Sequence, residues 1–406
     1  MKKPTVLILY ANYGAGHKRA ADAIEEKLKL ATVHHRDAMI IHKTDFLGQA
    51  FPLIDQFMRK LYIQSFHWAK PFYKKLYYQT KDLPIDSSVT SLFTYLGSLK
   101  LEAYIRQMKA DVVISTFPAL TGMLSQIKKR GQTSFKLCCV LTDYTTHNHW
   151  LYQHVDHYFV PTNQIKKEFI ARGIPAETIQ STGIPVLAQF EEKRDLEQLK
   201  ANLGVSSDRP IVLISAGAYG VTNFASVCVT FHERYPEFQF VVICGKNASL
   251  FKRLSKVQGL KVIGFTDQMA EWLQVADLYL TKAGGLSISE AIAAETPMLL
   301  YGSLPGQEME NVQFLTRANV ARAAETEEEL IRCFEAMIQN DFRLLKRLKA
   351  QIKALRKSIC HHERWLTTVQ TECKTEQFAS IPSPYRSRAK NLSNRLFKKG
   401  KRSFQI

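Results

Sequence analysis

The stretch Leu278-Tyr279-Leu280-Thr281-Lys282-Ala283-Gly284-Gly285-Leu286-Ser287-Ile288-Ser289-Glu290-Ala291 decides the fold of this chain. A short apolar run, too short for a helix, ends in two glycines and passes at once into a helix start, the signature of a strand-turn-helix unit in a parallel sheet. On either side the pattern repeats. Ile211–Ser215, Phe238–Cys244, Lys261–Gly264 and Met298–Tyr301 read as further strands with helices between them, and before residue 186 so do Val6–Tyr10, Val112–Ser115, Leu137–Leu141 and Tyr158–Val160. Near-continuous apolar strands alternating with amphipathic helices mean sheets covered on both faces. The expected fold class is α/β, with two Rossmann-like doubly wound domains. Their join falls near Thr182-Gly183-Ile184-Pro185, giving residues 1–185 and 186–375, the latter including terminal helices. A helical insertion rich in lysine and aromatics occupies 51–109, and 376–406 reads as a basic, flexible tail.

Three turns at strand ends carry the candidate chemistry. Gly284 and Gly285 have no Cβ, and the helix start at Leu286 and Ser287 offers N–H groups and a hydroxyl, which suits a diphosphate. Glu290 follows one helical turn later, placed to accept ribose hydroxyls. Leu304-Pro305-Gly306-Gln307-Glu308-Met309-Glu310-Asn311 supplies, in Gln307 and Glu308, the donors and acceptors a polyhydroxylated sugar needs. A third turn through Gly217, Tyr219 and Gly220 is expected to close over the phosphates. In the other half, Asn12-Tyr13-Gly14-Ala15-Gly16-His17 ends the first strand. Arg19 stands where a dinucleotide fingerprint needs its third glycine, so this loop is not one. His17 either caps the turn or accepts a proton from a hydroxyl, a task its ordinary pKa near 6.5 suits.

The 406 residues carry 55 Lys and Arg against 37 Asp and Glu, a net charge of +18, which favours anionic partners. Trp68, Phe72, Tyr73, Lys74 and Lys75 in the insertion interleave rings with cations, as the interface of an anionic membrane requires. Nucleic acid is the rival reading of that composition and is not expected as a partner. The run Thr5–Tyr10 is too short for a secretion signal and reads as a core strand; no segment approaches the roughly 20 apolar residues of a membrane span. A peripheral location on the cytoplasmic face of the cell membrane is the expectation. The seven cysteines form no C-x-x-C pair and read as reduced core thiols. The paired histidines at 34–35 and 361–362, and those at 147, 149, 154 and 157, lack a cysteine or carboxylate at ligand spacing, so no metal site is expected.

Taken in order, Leu9-Tyr10-Ala11-Asn12-Tyr13-Gly14-Ala15-Gly16-His17, Ser115-Thr116-Phe117-Pro118, Thr142-Asp143-Tyr144 with His147 and Trp150, Thr182-Gly183-Ile184-Pro185, Cys244-Gly245-Lys246-Asn247, Gly284-Gly285 with Ser289-Glu290-Ala291, and Pro305-Gly306-Gln307-Glu308 resemble the processive diacylglycerol glucosyltransferases of Gram-positive bacteria, in glycosyltransferase family 28. The resemblance implies a GT-B fold with two domains facing across a cleft. It further implies a UDP-glucose donor, a diacylglycerol acceptor, and inversion without cofactor or metal; UDP-galactose is the nearest alternative donor. By the same resemblance, His17 is the general base with Asp143 as alternative or partner. Gly284, Gly285 and Ser287 meet the diphosphate, Glu290 the ribose, Gln307 and Glu308 the hexose, and Phe265 the uracil. Gly16, His147 and Trp150 fall on the acceptor side. Two departures stand out: Ala283 replaces the family's usual proline, and Ser303-Leu304 its common Pro-Val pair. A sensor that binds the nucleotide sugar without catalysis is the competing function.

Overall fold

The structure, a computed structural model, describes residues 3–13, 15–34, 39–53, 55–56, 78–79, 91–131, 133–215, 217 and 224–374. The first sheet contains β1 (Thr5–Tyr10), β2 (Ile40–Asp45), β3 (Val112–Ser115), β4 (Lys136–Val140), β5 (His157–Val160) and β6 (Ile179–Ser181), ordered β2-β1-β3-β4-β5-β6. The second contains β7 (Ile211–Ser215), β8 (Gln239–Ile243), β9 (Lys261–Ile263), β10 (Leu278–Thr281), β11 (Met298–Tyr301) and β12 (Ala321–Ala324), ordered β12-β11-β10-β7-β8-β9. Every pairing is parallel. Both sheets reverse direction of growth once, and in open α/β sheets the crevice at that reversal is where ligands bind.

The apolar runs exist because each strand is covered twice. In β1, Leu7 and Leu9 join one core and Val6 and Ile8 another on the opposite face. Both expected sheets are present. The strands not anticipated, β2, β6 and β12, are all edges. β2 runs Ile-Ile-His-Lys-Thr-Asp, β12 runs Ala-Arg-Ala-Ala and β6 is three residues long, so none carries the apolar run of a central strand.

Four helices matter for the site: α1 (Gly16–His34), α2 (Pro118–Arg130), α3 (Gly285–Ala293) and α4 (Gln307–Arg317). A long helical segment, α5 (Glu327–Ile359), kinks at Gln339–Phe342, and a last helix, α6 (His362–Lys374), follows it. Though expected with the second half, α6 packs against the first sheet. Its Trp365 and Val369 are buried against Val6 and Ile8 of the first sheet, and the His361 N–H donates to the Thr182 carbonyl at 3.1 Å. Burying an aromatic ring of that size is worth on the order of 2–3 kcal/mol, enough to hold the returning chain. The anticipated tail at 376–406 lies outside the described residues, as do Trp68, Phe72, Tyr73, Lys74 and Lys75 of the insertion. Among the described residues no helix is long and apolar enough to cross a membrane.

Candidate active site

The two glycine turns, far apart in sequence, meet. A Cβ added at Gly16, where α1 begins, would come within 3.9 Å of the Leu286 Cβ at the start of α3. His17 is half-buried in the wall of this junction. Its Nδ1 lies 2.7 Å from the Thr116 carbonyl oxygen and 3.1 Å from Thr142 Oγ1. A carbonyl only accepts, so Nδ1 carries the hydrogen and Nε2 keeps its lone pair. Burial pushes the imidazole down to about 4, opposed by the bond to Thr116. The ring is therefore neutral across the physiological range, with a nitrogen able to take a proton. Phe117 packs edge-on at 5.0 Å between centroids, and Trp150 lies at 6.4 Å.

Trp150 and His147 are buried, each 3% exposed, so in this arrangement neither reaches a bilayer surface. Trp150 walls the space beside His17. His147 caps the short turn Asn148–Trp150, its Nδ1 accepting from the His149 N–H. Gly16 opens α1 and remains half-exposed.

Asp143 does not partner His17. It faces the other half, accepting from the Gly285 N–H and, at 3.2 Å, from Asn311 Nδ2. Burial pushes its carboxyl up to about 7, Asn311 drawing it back. Around it runs a dense seam. Asn311 also donates to the Ala283 carbonyl at 2.9 Å and accepts from the Tyr144 N–H at 2.8 Å. The Tyr144 hydroxyl meets Ser289 Oγ at 3.0 Å, its ring stacks on Phe314, and Thr145 donates to Glu310. The approach is closest at Gly285, where a Cβ would fall 2.1 Å from the Thr142 carbonyl oxygen. No side chain fits there, so the second glycine of the pair serves the contact between halves.

Gly284 and Ser287 stay half-exposed while Gly285 and Leu286 are buried, leaving Lys282, Gly284 and Ser287 as the accessible stripe of the turn. No side chain of α3 caps its own first turn. Lys282 is a site residue that the sequence pattern did not single out. Its Nζ pairs with Glu308, and its stem passes Gly217, whose added Cβ would lie 3.2 Å from Lys282 Cε. A cation therefore stands between the two turns expected to hold phosphates. The second oxygen of Glu308 accepts from the Leu304 N–H at 2.9 Å, and Gln307 opens α4 half-exposed beside it. Gly217 takes a positive φ of 78°; Tyr219 and Gly220 lie outside the described residues. Phe265 is 60% exposed with Lys246 Nζ 5.7 Å from its ring centroid, leaving a face for a flat ring. Glu290 is buried and paired with Arg19.

The two departures from the family pattern are hydrogen-bonded to each other. The Ala283 N–H, which a proline would lack, donates to Ser303 Oγ at 2.9 Å. Alanine adds a donor and serine an acceptor, so the strand end keeps its geometry without the proline pair.

The chain matches two family models, monogalactosyldiacylglycerol synthase over residues 17–186 and the glycosyltransferase family 28 C-terminal domain over 211–362. It is 34% identical over 369 residues to a processive diacylglycerol beta-glucosyltransferase of Bacillus cereus, covering 89% of this chain and 92% of that one. The counterpart from Bacillus anthracis is likewise 34% identical, with the same coverage. Among solved structures it is similar to MurG of Acinetobacter baumannii, at a TM-score of 0.57 and 14% identity, covering 91% of this chain and 100% of that one. It is also similar to S. aureus MnaA in its structure with UDP, at a TM-score of 0.58 and 15% identity, covering 93% and 100%. These structural likenesses establish the GT-B fold. The sequence identity and the two family models complete the assignment: the chain is a glycosyltransferase and belongs to the family of the processive diacylglycerol beta-glucosyltransferases.

Proposed function

We propose that the chain transfers glucose from UDP-glucose to the free hydroxyl of diacylglycerol with inversion, and that the monoglucosyl product re-enters as acceptor. The observation that carries this reading is the juxtaposition of His17, its Nδ1–H held by the Thr116 carbonyl, with the start of α3 across the cleft. In the proposed step the acceptor hydroxyl gives its proton to Nε2 of His17. Its oxygen bonds to the anomeric carbon from the face opposite the diphosphate. The bond from that carbon to the UDP oxygen breaks, and its electron pair leaves with the diphosphate. N–H groups at the helix start and the Lys282 ammonium offset that charge, the oriented donors being worth most in a dry cleft. In this reading Gly284, Ser287 and Lys282 contact the diphosphate, Glu290 the ribose, Gln307 and Glu308 the hexose, and Phe265 the uracil. No metal or other cofactor enters the step.

The acceptor lies in a bilayer, so the enzyme works as a peripheral protein at the cytoplasmic face, drawn to anionic lipid by its excess of +18. Nucleic acid has no part in it. The test is the full chain incubated with labelled UDP-glucose or UDP-galactose and diacylglycerol vesicles, neutral or anionic, with and without EDTA, and mass spectrometry of the lipid. The expected product is glucosyldiacylglycerol, formed faster on anionic vesicles and undiminished by EDTA. A galactosylated product would reassign the donor, and binding of UDP-glucose with no glycolipid formed would favour a sensor.

A further inference from the structure

Arg19 lies on α1 two residues beyond His17, and its Nη2 is 2.6 Å from Oε1 of Glu290 on α3. The Glu290 side chain is 3% exposed against 31% for Arg19, so the carboxylate is buried and the guanidinium reaches it from the rim. The guanidinium also sits 5.9 Å from the Phe190 ring centroid, which limits its swing. The pair thus joins, through Oε1 of the carboxylate, the helix that carries the proposed base to the helix that carries the nucleotide turn.

We infer that Arg19 is a positioning residue for the donor nucleotide: from the acceptor half it holds Oε1 of Glu290, keeping the carboxylate ionised and turned so that Oε2 receives the ribose hydroxyls. The inference rests on the reading of Glu290 as the ribose acceptor. Physically the arrangement is needed because a carboxylate this buried favours its neutral form. Burial already pushes Glu290 up to about 7, with Arg19 as the charge that draws it down. The other titratable group facing it is Tyr279 of β10, itself raised by burial and neutral. Arg19 therefore decides whether the nucleotide half presents an anion or an acid. It does so from the element that begins at His17, so a shift of α1 alters donor binding and base position together.

The experiment is UDP binding by calorimetry to the full chain across the neutral and alkaline range, for wild type, Arg19→Met, Arg19→Lys and Glu290→Gln. A parallel series with uridine removes the titration of the phosphates. Wild-type affinity should fall as pH drops through about 7. Arg19→Met should bind about tenfold more weakly near neutrality and recover as pH rises, since a carboxyl without its cation ionises later. Arg19→Lys should lie between, and Glu290→Gln should bind weakly with a flat profile. Arg19→Met weakened by the same factor at every pH, or not weakened, would overturn the inference. If Glu290→Gln instead binds UDP as wild type does, with the same pH profile, it is the ribose reading that fails.

Discussion

Around His17 the neighbours are neutral: a backbone carbonyl, a threonine hydroxyl, and the rings of Phe117 and Trp150, with no charged group contributing to its shift. Around the Gly284–Ser287 turn the charges come in pairs, Lys282 with Glu308 and Arg19 with Glu290. The difference fits the roles proposed for the two sides. A proton acceptor must be uncharged before the reaction, and burial among neutral groups keeps it so. A diphosphate brings charge that a neutral wall would refuse, so its side needs cations, and in a folded chain these rest on carboxylates that also hold them in place.

The contrast breaks most sharply at its ends. On the role proposed for it, His17→Ala should lower turnover by on the order of 10³ while UDP affinity stays within about threefold, because a base for the acceptor proton has no part in holding UDP. Lys282→Met should do the reverse in kind, weakening UDP but not uridine, since a cation facing phosphates has nothing to offer the base. Steady-state kinetics with calorimetry on both variants separates the two, and equal loss of uridine binding in Lys282→Met would remove it from the diphosphate.

The pH dependence of stability sharpens the same contrast. His17 is held near 4 when folded and returns to about 6.5 when unfolded, so its contribution rises with pH across that window and is lost on acidification. Asp143 and Glu290, held at about 7 and returning to about 4, act oppositely, their contribution falling as pH rises between those values. Melting of His17→Gln should accordingly show a weaker rise with pH than wild type, and Glu290→Gln a steeper one.

Smaller effects distinguish the paired glycines. Gly285→Ala drives a Cβ into the Thr142 carbonyl and should cost about 1–3 kcal/mol, whereas Gly284→Ala meets nothing closer than 3.9 Å and should change melting little. Equal destabilisation would mean that the seam yields. Least of all, Ser303→Ala strands the buried Ala283 N–H at about 1 kcal/mol, a loss that should vanish in an Ala283→Pro background if the two positions act as one.

Much of this architecture was legible from local pattern. A strand covered on both faces must be apolar throughout, which exposed the central strands of both sheets, and β2, β6 and β12 escaped because they are short or interrupted by polar residues and carry no continuous apolar run. The glycine turns and His17 were equally visible, since turn geometry and strand-end position depend on near neighbours in the chain. Arg19 and Lys282 were not singled out as site residues, and Asn311 was read only with the sugar-facing cluster of α4. Their partners, Glu290, Glu308, and Asp143 with Tyr144, are joined to them only by the packing of separate elements, and no spacing rule connects them.

By itself, then, the sequence determined the parallel sheets and the glycine turns at their strand ends, because hydrophobic period and glycine stereochemistry act over a few residues. Only the tertiary structure decided that Gly285 belongs to the seam and Gly284 to the accessible stripe, that Asp143 turns from His17 toward Gly285, and that Arg19 reaches Glu290. Those outcomes depend on which backbone stands within a few ångströms of which other, a distance set by the packing of two sheets and their helices and written in no single stretch of chain.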